Sequence, residues 1–178
     1  MKIQSQQLLN DLKKITDENL EFAEILLHES DAKLNFRASE KSWSILDCLE
    51  HLNLYGKFYL PEIDERIRKS NTKSKDIFIS GILGNYFAES MLPKEKLNIM
   101  KTFKSMNPMG SNLDRSVIKE FISQQKQIKT FLSDANKIDL NKVKTSISIS
   151  KLIKLKLGDT FRFVIYHNWR HIEQAKRI

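Results

Sequence analysis

Cysteine is nearly absent from this chain: Cys48 is the only one among 178 residues. That excludes an internal disulfide and any cysteine-based zinc framework. Long hydrophobic runs are missing too, with no stretch near the ~20 apolar residues a membrane helix needs. The opening MKIQSQQLLNDLKK turns polar too soon for the apolar core of a signal peptide, so the expected compartment is the cytoplasm and no membrane partner is expected. Helix breakers are few, three prolines and five glycines, and Gly81, Gly84, Pro93, Pro108 and Gly110 share one stretch. What remains is 40% hydrophobic and 29% charged, the composition of a globular protein and not of a disordered one. The length fits one domain over residues 1–178, able to bury roughly two-thirds of the surface its unfolded form exposes.

Acidic residues are outnumbered, leaving a formal net charge of +8. Such a balance suits nucleic acid or an anionic surface, but it equally describes solvated lysine-rich faces. The lysines are scattered, and the most basic stretch, Lys142 to Lys156, alternates them with Ile, Val and Leu. Solvated faces are therefore the favoured reading, and no nucleic-acid partner is expected.

Apolar spacing predicts four long helices. The first runs from about Gln4 to Glu29 on a stripe of Leu8, Leu12, Ile15, Phe22, Ile25 and Leu26, free of glycine and proline. After a connector at Asn35–Ser42, Ser44 stands at an N-cap position with Asp47 three residues on, at the positive end of a second helix. That helix carries Leu46, Leu49, Leu52, Tyr55 and Phe58 toward Ile67, with a kink or break expected at Pro61. Residues 70–112 read as an irregular excursion, expected to pack over an end of the bundle and over a pocket. The third helix spans about Asp114–Asp134 with Val117, Ile118, Phe121, Ile128, Phe131 and Leu132 inside. TSISIS at Thr145–Ser150 alternates like a short strand. The last helix starts near Asp159, burying Phe161, Val164, Ile165, Ile172 and Ala175. The fold class is all-α, a four-helix bundle.

The four histidines separate by helix geometry. His28 falls opposite the apolar stripe of the first helix, at roughly 100° per residue, and should face solvent. His51 shares the inner side of the second helix with Cys48, Tyr55 and Phe58. His167 and His171 are four apart and stack on one face bordering the buried stripe of the last helix. A pair at that spacing is more often two half-buried histidines than a ligand pair. A third imidazole on a facing helix shifts the balance toward a three-nitrogen metal site with an open position. The segment HNWRH has Asn168 where HExxH has its glutamate, which disfavours a protease of that type.

These segments carry a resemblance. KSWSILDCLEHLNLY, Lys41–Tyr55, resembles the segment opening the second helix of DinB-like proteins. LKLGDTFRFVIYHNWRHIEQAKRI, Leu155–Ile178, resembles their closing H…RH…Q signature. Both stand in the family's order and at a suitable separation, and the helical pattern between them fits, so the resemblance spans nearly the whole chain. The resemblance implies the DinB/YfiT-like up-down-down-up bundle, usually a homodimer. It also implies a metal triad that falls on His51, His167 and His171. Trp43 then packs at the start of the second helix, Ser44 caps it, and Gln174 faces the region of His171.

What the resemblance implies chemically is broader. Its members include thiol S-transferases that use bacillithiol, mycothiol or glutathione, and proteins classed as metal-dependent hydrolases. The leading expectation is a transferase joining a low-molecular-weight thiol to a small-molecule electrophile at a divalent ion; three imidazoles suit Zn, Ni and Fe alike. A hydrolase is the alternative, needing a general base that the sequence does not reveal. A metal-binding stress protein without catalysis is the third. Asp47 could orient His51, with a helix cap the favoured role. Cys48 reads as a small buried residue in preference to a reactive thiol, and Tyr55 as a core aromatic in preference to a pocket wall.

Overall fold

The computed structural model describes residues 1–93 and 102–178. Its first long helix, α1 (Ser5–Leu26), buries Leu8, Leu9, Leu12, Leu20, Ala23 and Leu26. Ile25, expected on that stripe, is 60% exposed. It stands one position from Leu26, a turn of about 100° that carries it off the buried face. A short helix, α2 (Asp31–Asn35), follows, capped by Ser30. Helix α3 (Ile45–Arg68) begins with a reciprocal cap. Asp47 N donates to Ser44 Oγ at 3.1 Å, and Ser44 N donates to Asp47 Oδ2 at 2.8 Å. Arg37 closes on the same carboxylate at 2.8 and 3.0 Å.

Pro61 does not break α3, which runs unbroken through it. Both Pro61 and Lys57, whose carbonyl lacks its usual N–H partner, lie on the exposed side. A carbonyl on the solvent side can bond to water, so a proline costs less there than in a core.

The all-α expectation holds approximately: among the described residues the molecule is mainly helical, with six α-helices and two small antiparallel sheets beside them. Strand β1 (Lys2–Gln4) pairs with β2 (Ile77–Ile79), Ile3 opposite Phe78. The TSISIS stretch is not a lone strand. It is most of β3 (Lys144–Ile147) plus the turn into β4 (Ser150–Lys156), with an irregular register between Ser146 and Ile147. The hairpin is anchored near its open end, where Thr145 and Leu155 are buried opposite each other, while Leu152 and Ile153 nearer the turn are exposed. The excursion also contains α4 (Ile82–Ser90) and a single 3₁₀ turn, Lys104–Met106. Helices α5 (Ser116–Ala135) and α6 (Leu157–Ala175) complete the set.

Of the long helices, α1 and α3 each pack on both α5 and α6. The buried apolar residues form two clusters. Along every long helix the boundary between them is polar: Thr16 and Asn19 on α1, Asn53 on α3, Gln124 and Gln125 on α5, and Asn168 on α6, all buried. Asn53, Gln124 and Asn168 of this belt bond across helices, the usual way a buried amide is satisfied. Asn53 Nδ2 donates to Val117 O at 3.0 Å, and Gln124 Nε2 donates to Asn53 O at 3.2 Å. Gly56 makes room for the Gln124 amide, whose nitrogen would lie 3.0 Å from a Cβ at that position.

Helix α4 is held on α6 by a buried ion pair. Asp159 accepts from Gly81 N at 2.8 Å and from Ser80 Oγ. Arg162, one turn on, donates to Asp159 Oδ1 at 3.2 Å, Ser80 Oγ at 2.8 Å and Asn85 Oδ1 at 3.0 Å. Gly84 lets the two backbones close up, since a Cβ there would sit 2.6 Å from Asp159 Cβ. Among the described residues, no helix is long and apolar enough to cross a membrane.

Candidate metal centre

His51, His167 and His171 meet at one point. One ligand nitrogen from each lies within 4.8 Å of the others, and His51 Nε2 is 3.1 Å from His167 Nε2. His51 and His167 are buried and His171 is half-buried. The cluster sits at the level of the polar belt, His167 being the neighbour of Asn168, and it opens on one side into a cavity.

Two of the rings are oriented from behind. His51 Nδ1 lies 2.6 Å from the carbonyl oxygen of Met106, in the excursion. His171 Nδ1 lies 2.9 Å from Gln174 Oε1. Donation from Nδ1 to these acceptors leaves the Nε2 lone pairs facing the cluster, the tautomer a metal ligand requires. Trp43 packs against two of the rings, at 4.8 Å from His51 and 5.6 Å from His171.

Burial keeps these rings neutral. It pulls His51 below the ordinary histidine value, against the opposing effect of the Met106 carbonyl. His167 is lowered well below it, by burial and then by His171, His51 and Arg170. His171 is pushed down to about 3, by burial and then by His51. Uncharged imidazoles converging this way are ready to bind a cation and poorly suited to hold protons.

The set also fits an ion by size. Nitrogens at ~2.0–2.1 Å from a tetrahedral zinc stand roughly 3.3 Å apart. The separations here, from 3.1 Å up to at most 4.8 Å, need only small ring movements.

The cavity over the cluster has a volume of about 920 Å³. Trp43, Tyr55, Tyr59, Phe87 and Phe163 form much of its wall, and Lys41, Arg170 and Arg177 are the cationic side chains among its described lining residues. No aspartate or glutamate is among those residues.

Some side chains keep the role read from the sequence and others do not. Tyr55 is a pocket wall, with its ring 4.6 Å from His167 and 5.0 Å from His51. Gln174 does face His171, and its Oε1 fixes that ring. Asp47 keeps to the cap and Arg37, so orienting His51 falls to Met106. Cys48 is fully buried, and burial pushes its thiol up to about 12, with Asp47 adding to the effect. His28 is exposed, as expected. The excursion does cover the pocket: Tyr86, Phe87, Met91 and Phe103 line it. Its residues 94–101 lie outside the described residues. Phe163, Phe87 and the Met106 carbonyl had no motif to announce them; the aromatics were visible only as apolar positions.

A mainly helical protein with three neutral imidazoles presented at the floor of an aromatic cavity defines a class: helical proteins with a candidate tri-histidine metal centre. The sequence model of the DinB superfamily matches residues 11–175, and the chain belongs to that superfamily. No curated protein and no solved structure matches it.

Proposed function

We propose that this protein is a divalent-metal-dependent S-transferase that joins a low-molecular-weight thiol to electrophilic small molecules. The observation that carries the reading is the convergence of three neutral imidazoles, on His51, His167 and His171, beneath a cavity with no described carboxylate in its wall. These three side chains would hold the ion, which supplies the positive charge that makes an incoming thiol give up its proton near neutral pH. Zn, Ni and Fe all accept such ligands.

The chain's own residues do the rest. Met106 O and Gln174 Oε1 hold the rings in the ligand tautomer, and Trp43 braces them. Lys41, in a lining without a described carboxylate, gives the cavity a positive edge that favours an acidic thiol. The aromatic wall keeps water from the electrophile and fixes its approach, the main contribution a positioning site makes. In the transfer the S–H proton is released to solvent and a C–S bond forms. The bond from that carbon to its leaving atom breaks with its electron pair; if an epoxide is opened, the ring oxygen takes up a proton.

A hydrolase needs a base to take a proton from water, and the described lining offers no carboxylate for it, which favours the transferase. The up-down-down-up order belongs to the same reading, supported by the packing of α1 and α3 on both α5 and α6. So do a homodimeric state and a cytoplasmic location. The test is to load the purified protein with each metal and follow disappearance of electrophiles with and without bacillithiol or glutathione, beside His167→Ala. Turnover that needs both thiol and metal and vanishes in the variant is expected. Turnover without thiol would make it a hydrolase, and bound metal without turnover would make it a binding protein.

A further inference from the structure

The two flanks of the histidine cluster differ in chemistry. On one side stand Trp43, packed on His51 and His171, and Gln174, bonded to His171, with Lys41 two residues before Trp43 in the chain and also lining the cavity. On the other, five aromatic rings run outward from His167. Phe163 stacks on His167, with centroids 5.9 Å apart and planes at 22°. Tyr59 lies 5.5 Å from Phe163, and Tyr55 stacks beside Tyr59 with planes at 5°. Phe87 meets Phe163 edge-on at 6.4 Å, and Tyr86 follows at 5.8 Å. None of these residues carries a charge at neutral pH, and burial raises the Tyr55 and Tyr59 hydroxyls further above their ordinary value.

The wall is also built to hold its shape. Tyr59 OH accepts from Ser148 N at 3.3 Å, so the hairpin turn fixes its ring. Phe87 is carried by α4, which the Asp159–Arg162 pair ties to the helix bearing Phe163. Tyr86 is largely exposed, and Ile149, on the hairpin turn, is exposed beside the same cavity, giving this flank an apolar mouth.

We propose that this flank is a subsite for a planar aromatic group of the substrate, and that the opposite flank receives the hydrophilic cosubstrate. The inference rests on the transferase reading for which molecule brings the ring, and it narrows the electrophile to a flat, apolar one. Ring-lined walls reward flat partners beyond simple burial, because quadrupoles favour offset and edge-on contacts. Aromatic rings also attract cations, but Lys41 lines the same cavity and no described carboxylate does, which disfavours a cationic ligand. A volume of about 920 Å³ leaves room for two small molecules side by side, since a single drug-sized ligand occupies pockets from ~300 Å³ upward.

The experiment uses the full chain and the neutral fluorophore N-phenyl-1-naphthylamine. Displacement by 2-naphthol is compared with displacement by decahydro-2-naphthol, which has the same skeleton but puckered rings. Saturable binding is expected, with 2-naphthol preferred by roughly three- to tenfold, the range one ring contact supplies. Phe87→Leu and Phe163→Leu should each weaken the fluorophore by a similar factor, while Lys41→Ala leaves it unchanged; thermal melts verify folding. Equal displacement by the two naphthols, or unchanged binding in Phe87→Leu, overturns the subsite. Thiol transfer is then measured with an aromatic and an aliphatic electrophile. Turnover of the aliphatic one alone sinks the subsite and spares the transferase. Naphthol preference without any turnover keeps the subsite and sinks the transferase.

Discussion

Asp159 holds the pocket wall in place, and removing its carboxylate should be costly in a definable way. The side chain is fully buried and accepts from Ser80, Gly81 and Arg162, while Arg162 is itself buried. Asp159→Ala leaves the guanidinium with Ser80 and Asn85 as its neutral partners on the excursion. Breaking one side of a buried pair costs ~3–5 kcal/mol. For a domain of this size each kcal/mol moves the melting temperature by ~2–4 °C, so a fall of roughly 6–20 °C is expected. The variant should still fold, given a usual stability of ~5–15 kcal/mol. Urea and thermal denaturation measure the loss. The informative partner is Asp159→Ala/Arg162→Met. If the damage comes from a stranded charge, removing that charge restores part of the stability, and the double variant melts above Asp159→Ala. A loss below about 1 kcal/mol for the single variant, or a double variant that melts lower still, would refute the account.

Other outcomes follow from the same contacts. Gln174→Ala removes the acceptor behind His171 and should weaken metal binding by ~10–100-fold in chelator competition without changing the fold, whereas His51→Ala should reduce bound metal to background. The metal-free protein should lose stability on acidification. The folded rings have lowered values, so the unfolded chain binds more protons, and stability is complete above about 6.5 and declines as pH falls toward about 3. Melting curves at pH 7 and pH 5 check this, and an unchanged midpoint would show that the rings are not buried neutral. Ser44→Ala should cost ~1 kcal/mol as a lost cap, and Asp47→Ala more, because Arg37 is released as well; chemical denaturation of the two variants ranks them.

Local rules made much of this legible before any coordinates. The Ser44–Asp47 cap is a four-residue pattern, and the His167–His171 spacing fixes two rings on one helix face whatever surrounds them. The partner His51 was visible because the inner side of α3 is marked by apolar residues. What escaped depends on long-range placement. Met106 acts through its backbone carbonyl, which no side-chain pattern encodes. Tyr55 looks like a core aromatic from spacing alone, since only the position of α6 decides whether a cavity opens beside it. Pro61 breaks helices in general and spares this one because its missing bond faces water. The second strand of the hairpin, SKLIKLK, has no strict period of two, since Leu152 and Ile153 are adjacent, so its pairing with the first strand defines it and its own pattern does not. The Asp159–Arg162 spacing was in plain view, but its partners Ser80, Gly81 and Asn85 come from the least patterned stretch of the chain.

The band of amides and hydroxyls through the middle of the helices acts as a vernier. Sliding any long helix by one turn, about 5.4 Å, would push Asn53, Gln124 or Asn168 into hydrocarbon and strand their bonds. Oil against oil would tolerate such slippage far better. The three imidazoles therefore inherit their common height from residues that never touch them, and loosening the band should blur the centre before it unfolds the protein.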